Sequence, residues 1–125
     1  MKTIINTEKA PKPIGPYNQA VEYNGLVFIS GQVALDPETG KFNQGNIREQ
    51  THQVFRNIEA ILVEAGLTFS NVLKVTCLLA DMNEFKEMNR IYGEYFTENE
   101  PARAAFEVAR LPLDARIEIE LIAGK

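Results

Sequence analysis

The segment 26–30, LVFIS, is apolar at four consecutive positions, and no other feature constrains the fold of this chain more. A strand with one wet face alternates apolar and polar side chains. Leu26, Val27, Phe28 and Ile29 do not alternate, so both faces of this strand need cover. The segment 72–80, VLKVTCLLA, makes the same demand except at Lys74 and Thr76. Two stretches have the helical periodicity to supply cover. In the first, Ile47, Val54, Phe55, Ile58, Ile61, Leu62 and Ala65 recur at helical spacing, and Gly66 stands where a left-handed cap would end the element. In the second, Phe85, Met88, Tyr92, Tyr95 and Phe96 form an apolar stripe opposite Lys86, Glu87, Arg90 and Glu94. Residues 81–84 before it, Asp-Met-Asn-Glu, have the pattern of a capping box, with Asp81 receiving the third amide and Glu84 reaching back. Two helices cover one sheet face. The second apolar face is therefore expected to pack against further copies of the chain, as a homo-oligomer.

The remaining segments complete the layout. Residues 18–35 read as two strands joined by a tight type I′ turn at Asn24-Gly25. Residues 35–41, LDPETGK, carry turn chemistry. The run AAFEVARL after Pro101 reads as another strand. In the last one, RIEIELIAG, Ile117, Ile119 and Leu121 share one face and Glu118 and Glu120 the other. The expected architecture is α+β, a mixed sheet with two long helices on one face, in one domain spanning residues 1–125.

Several function classes are disfavoured. A formal net charge of -4 supplies no basic face for nucleic acid. A single histidine, His52, and a single cysteine, Cys77, cannot build the usual zinc sites. Neither of the common glycine-rich nucleotide cradles is present, so no cofactor and no metal are expected. No stretch approaches a membrane span or a secretory signal, and a lone Cys77 in an apolar run suits a reducing cytoplasm.

Few residues remain that could carry chemistry. Arg103 opens the small, apolar run ARAAF after an extended-biased Pro101-Ala102 corner. It is either an ordinary surface arginine or a planar fork that holds a carboxylate, with Ala104 and Ala105 letting backbone approach a ligand. Glu118 and Glu120 are solvated carboxylates on an outer strand face, unless a neighbouring subunit covers one and sets it to orient a water. Tyr17, after the turn Ile14-Gly15-Pro16, supplies either a rim contact or a functional hydroxyl. In Ser30-Gly31-Gln32, Gly31 marks a bulge or a close approach of ligand to backbone. Asn89 flanks the second helix's buried stripe, and His52 sits at a boundary.

Together, IGPYNQAV, FISGQVALDPETG, EQTHQVFRNIEAILVEAG, NVLKVTCLLADMNEF, PARAAFEVARLP and IEIELIA resemble, in order and spacing from about residue 4 to 123, the RidA/YjgF family of 2-iminobutanoate/2-iminopropanoate deaminases. The resemblance implies a chorismate-mutase-like fold and a homotrimer around a central β-barrel, with ligand sites between subunits. It implies hydrolysis of reactive enamine/imine acids to 2-oxo acids and ammonia without a cofactor. By the same resemblance, Arg103 anchors the substrate carboxylate, Glu118 positions water and Tyr17 lines the cleft. Gly31 and Ala105 turn backbone groups to the ligand, and Ser30 and Asn89 complete the substrate contacts. Many bacterial members carry cysteine where this chain has Ala105, so no thiol acts there. Two rival functions are a non-catalytic module that binds a small carboxylate such as a 2-oxo acid, and a ribonuclease, which the acidic balance disfavours.

Overall fold

The computed structural model describes residues 1–125. Eight main elements follow in order: β1 (Thr3–Ile5), β2 (Ala20–Tyr23), β3 (Leu26–Gln32), α1 (Ile47–Glu64), β4 (Val72–Leu79), α2 (Phe85–Tyr95), β5 (Ala102–Glu107) and β6 (Ile117–Gly124). The strands form one six-stranded sheet in the order β1-β2-β3-β6-β4-β5. Only β4 and β5 pair in parallel, joined through α2; the other pairs are antiparallel. This is the expected mixed sheet of an α+β fold.

The β2–β3 hairpin turns on Asn24 and Gly25, with φ of 50° and 80°. Two successive left-handed residues are what a type I′ turn requires. Helix α1 starts in a capping box at Asn46, whose side chain accepts from Glu49 N at 2.9 Å while Glu49 Oε1 accepts from Asn46 N at 3.3 Å. It ends at Gly66, φ 77°, where Leu67 N donates back to Leu62 O at 2.8 Å. The capping box expected at Asp81 does not form. Asp81 Oδ1 accepts from Asn83 N and caps a short 3₁₀ turn, Met82–Glu84, while the Glu84 carboxylate takes Arg116 Nη1 at 2.8 Å. A long-range ion pair has drawn the glutamate away from the helix start.

Both helices lie on one sheet face. Val27, Ile29, Val75, Cys77, Leu79, Ile117, Ile119 and Leu121 pack there against Val54, Phe55, Ile58, Met88, Tyr92 and Phe96 in one buried cluster. The helix-free face keeps its apolar side chains at the surface. Leu26 and Phe28 are 38% and 40% exposed, Phe106 is 48% exposed, and Leu78 and Ile122 are half-buried beside them. LVFIS thus has helix cover on one face only, and within one chain its second face is open.

Candidate functional site

The hairpin strand β3 and the central strand β6 meet with an irregularity. Ile29 pairs with Leu121 and Gln32 with Ile119, so Ser30 and Gly31 together oppose the single residue Glu120. This two-against-one bulge is what Gly31 foreshadows. A side chain crowds this point: a Cβ added at Gly31 would stand 2.5 Å from Glu118 Oε2 and 2.9 Å from Glu118 Cδ. The carboxylate of Glu118 lies folded over the glycine, in a place no other residue leaves free.

Glu118 also lines a cavity of about 250 Å³ with Tyr17, Gly31, Lys12, Ile14 and Leu113. Its carboxylate has no hydrogen bond or ion pair within the chain, and burial, then the neighbouring Glu120, push its pKa above the ordinary glutamate value of 4.5. Glu120 on the same face is exposed. Tyr17 is loop rather than strand and is half exposed; its hydroxyl accepts weakly from Ile14 N at 3.4 Å. Ser30 spends its hydroxyl proton on Asn18 O at 2.6 Å, tying the bulge to the loop before β2.

A raised carboxyl pKa has a definite sign in stability. The folded state holds the proton more tightly than the unfolded chain, so the contribution is fully present below about pH 4.5 and is lost as pH rises through the raised value. Glu118→Gln is therefore expected to melt above the wild type at pH 7, with the difference gone near pH 4. Scanning calorimetry at the two pH values decides; a wild type at least as stable as the variant at pH 7 would show that the carboxylate is satisfied in the native state.

Arg103 stands elsewhere. In the parallel ladder it pairs with Val75, and Val75 in turn pairs with Leu121, so Arg103 shares the helix-covered face. Glu118 pairs with Leu78 on the other face. The two residues singled out as anchor and water-holder are thus on opposite faces of one sheet, two strands apart. At the edge, Arg103 Nη1 donates to Asn89 Oδ1 at 2.6 Å, its only hydrogen bond, and it has no carboxylate partner. Its guanidinium carbon lies 4.6 Å from the Tyr92 ring centroid and 5.4 Å from that of Phe85. Ala105 pairs with Cys77 on the same face. As β5 is the sheet edge, backbone groups turned away from β4 find no strand partner. Cys77 is fully buried and burial pushes its thiol up to about 11, which removes it as a nucleophile.

The expected residues therefore form two groups, Tyr17, Ser30, Gly31 and Glu118 in one and Asn89, Arg103 and Ala105 in the other. Three contributors carried no sequence signal. Buried Gln19 holds the loop that walls the cavity, donating to Thr7 O, Ala10 O and Pro11 O and accepting from Thr7 N at 2.7 Å. Leu113 reaches the cavity from a left-handed backbone, φ 59°, that only its loop environment can impose. Tyr92 read as core, and it is core, yet it also underlies Arg103.

Comparison with known proteins completes the site's context. The chain is 48% identical over 123 residues to human 2-iminobutanoate/2-iminopropanoate deaminase, covering 98% of this chain and 90% of the human protein. It is 50% identical over 122 residues to the chloroplastic Reactive Intermediate Deaminase A of Arabidopsis thaliana, covering 98% of this chain and 65% of that protein. A RutC family protein of Pyrococcus abyssi is 55% identical over 124 residues, 99% of this chain and 98% of its own. Among solved structures, Escherichia coli TdcF with bound serine superposes with a TM-score of 0.93 at 39% identity, covering 98% of each chain. The Escherichia coli YjgF gene product likewise gives 0.93 at 40%, again over 98% of each. The sequence profile of the family described as Endoribonuclease L-PSP matches residues 7–125, and with these relatives it establishes that the chain belongs to the RidA/YjgF family.

Proposed function

We propose that the protein hydrolyses short reactive imino acids, 2-iminopropanoate and 2-iminobutanoate and their enamine tautomers, to 2-oxo acids and ammonia in the cytoplasm, without metal or cofactor. The observation that carries this is the pair of uncommitted charges: an arginine whose sole polar partner is a neutral amide, and a half-buried carboxylate with no partner at all. Relatives at 48–50% identity named as deaminases of this class supply the chemistry.

The placement of the charges supports a site shared between chains. Crossing from β5 to β6 spans two strand spacings, about 10 Å, and then the sheet itself. A three- or four-carbon acid cannot reach both residues of one chain. The open apolar face of Leu26, Phe28, Phe106 and Ile122 supplies the remedy: copies pack there, three around a central barrel, and Arg103 of one meets Glu118 of the next. In that cleft Arg103 grips the carboxylate and sets the C=N carbon against a water held by Glu118. Water adds across the C=N bond, Glu118 passes the displaced proton toward nitrogen, and the carbinolamine expels ammonia to leave the 2-oxo acid. Tyr17, Ser30 and the backbone at Gly31 and Ala105 confine the reactant. Positioning and electrostatics suffice because the imine carbon is already electrophilic.

The test couples a threonine dehydratase to semicarbazide, which traps free imine. Wild-type protein is expected to suppress semicarbazone formation and Arg103→Ala to leave it unchanged. If neither protein alters trapping, deamination is excluded, and calorimetric binding of 2-oxobutanoate would then favour a non-catalytic carboxylate module. An endoribonuclease activity finds no support in a chain of formal charge -4.

The glycine offers a further check. Gly31→Ala forces the Glu118 carboxylate aside without opening the core, so kcat is expected to fall on the order of a hundredfold with little change in Tm. Activity near the wild-type level would mean that the carboxylate's seat over Gly31 is immaterial.

A further inference from the structure

Within α2, Phe85, Asn89 and Tyr92 follow at i, i+4 and i+7 and so line one face of the helix. All three touch the guanidinium of Arg103, which projects toward them from β5. Asn89 Oδ1 takes one Nη1 proton at 2.6 Å, and the Tyr92 ring lies beneath the cation at 4.6 Å. Engaging Nη1 leaves Nε and Nη2, whose parallel N–H bonds form one edge of the fork and have no partner in the chain.

Tyr92 lies at the rim of the core, under the cation. It is 8% exposed, and its hydroxyl is a buried polar atom without a hydrogen-bond partner. The ring is braced on its other sides by Phe55, 5.9 Å away and edge-on, and by Phe96 at 4.6 Å. It is therefore a rigid platform, and a tyrosine ring is a better cation platform than an aliphatic side chain of similar volume.

We propose that Tyr92 is a positioning residue for Arg103: its braced ring carries the guanidinium while Asn89 takes one corner, so that the Nε–Nη2 edge is held out for a carboxylate. This deepens the deaminase reading and rests on it. The side chain of a free arginine samples many rotamers, and each lost alternative is freedom the substrate need not remove on binding. Tyr92 touches neither Glu118 nor the reacting carbon, so its effect falls on capture and not on turnover.

The experiment measures binding of 2-oxobutanoate by calorimetry and steady-state kinetics with dehydratase-generated imine, on the assembled protein. Tyr92→Leu is expected to weaken binding and raise KM about tenfold with kcat nearly unchanged, and Tyr92→Phe to restore both to within about twofold. In an Arg103→Ala background, Tyr92→Leu is expected to add nothing, since the coupled partner is gone. A folded Tyr92→Leu protein with wild-type affinity, or one whose loss persists undiminished without Arg103, overturns the positioning role and leaves the deaminase reading intact. Absence of 2-oxobutanoate binding by the wild type overturns both. A readout that requires no core variant accompanies these: the Nε–H resonance of Arg103 is expected upfield of a free arginine through the ring current of Tyr92, and a resonance at the free position overturns the platform.

Discussion

Arg103→Ala is expected to lower kcat/KM for 2-iminobutanoate by roughly thirtyfold to several thousandfold, the equivalent of about 2–5 kcal/mol of lost carboxylate binding in a closed cleft. Tm is expected to stay within a few degrees, because the side chain is exposed at the sheet edge and its truncation opens no core. Without the guanidinium a carboxylate bound there would face the amide of Asn89 and the rings of Tyr92 and Phe85, none of which supplies a cationic pair of N–H donors. Arg103→Lys should recover only part of the loss, since an ammonium cannot offer two parallel N–H bonds from one planar group. The measurement is kcat/KM with imine generated in situ, paired with the Kd of 2-oxobutanoate. A variant within threefold of the wild type in both would remove Arg103 from the site.

The opposite-face placement of Arg103 and Glu118 gives the second large effect, and it is a gain. Arg103→Ala and Glu118→Gln are each expected to be nearly inactive alone, the latter because a water left without its base typically costs 10²–10⁴-fold. Mixed one to one, by co-expression or by joint refolding, they should recover about a quarter of wild-type activity. In a two-chain cleft each site would draw its arginine from one chain and its glutamate from the neighbour, and random assembly would supply each of them intact half of the time. If one chain furnished both residues, no mixed assembly would contain an intact site, and activity would stay at the level of the separate variants. That result would sink the two-chain cleft while leaving the chemistry open.

Most of the layout was legible in the sequence because it rests on local rules. The two helices, the Asn24-Gly25 hairpin, the alternation of β6 and the bulge at Gly31 follow from periodicity and from residues with singular backbone habits. What was not legible depends on distant partners. Asp81 through Glu84 satisfies the local pattern of a capping box, and Arg116, thirty-two residues away, overrides it. The strand β1 is three residues long, too short for any period to show. For the site, residue types pointed to Arg103, Glu118 and Gly31, but which sheet face each occupies depends on the register of β4 with both its neighbours. Glu118 and Glu120 look equivalent along the strand; only the bulge opposite them, with its empty glycine, separates a half-buried carboxylate from an exposed one. Tyr92 belongs to a helical stripe that any core would use, and nothing along the chain betrays the cation lying on it.

The position of β6 between β3 and β4 bears on how the protein is made. Residues 117–124 are the last of the six strands to be synthesised, yet they join a hairpin formed some ninety residues earlier to the β4–β5 half of the sheet. Until they emerge, β3 and β4 both present bare edges flanked by apolar side chains, and the nascent chain holds two half-sheets that cannot meet. Folding is therefore expected to be late and cooperative, governed by closure of a long loop, with the unfinished chain prone to unwanted strand pairing during synthesis.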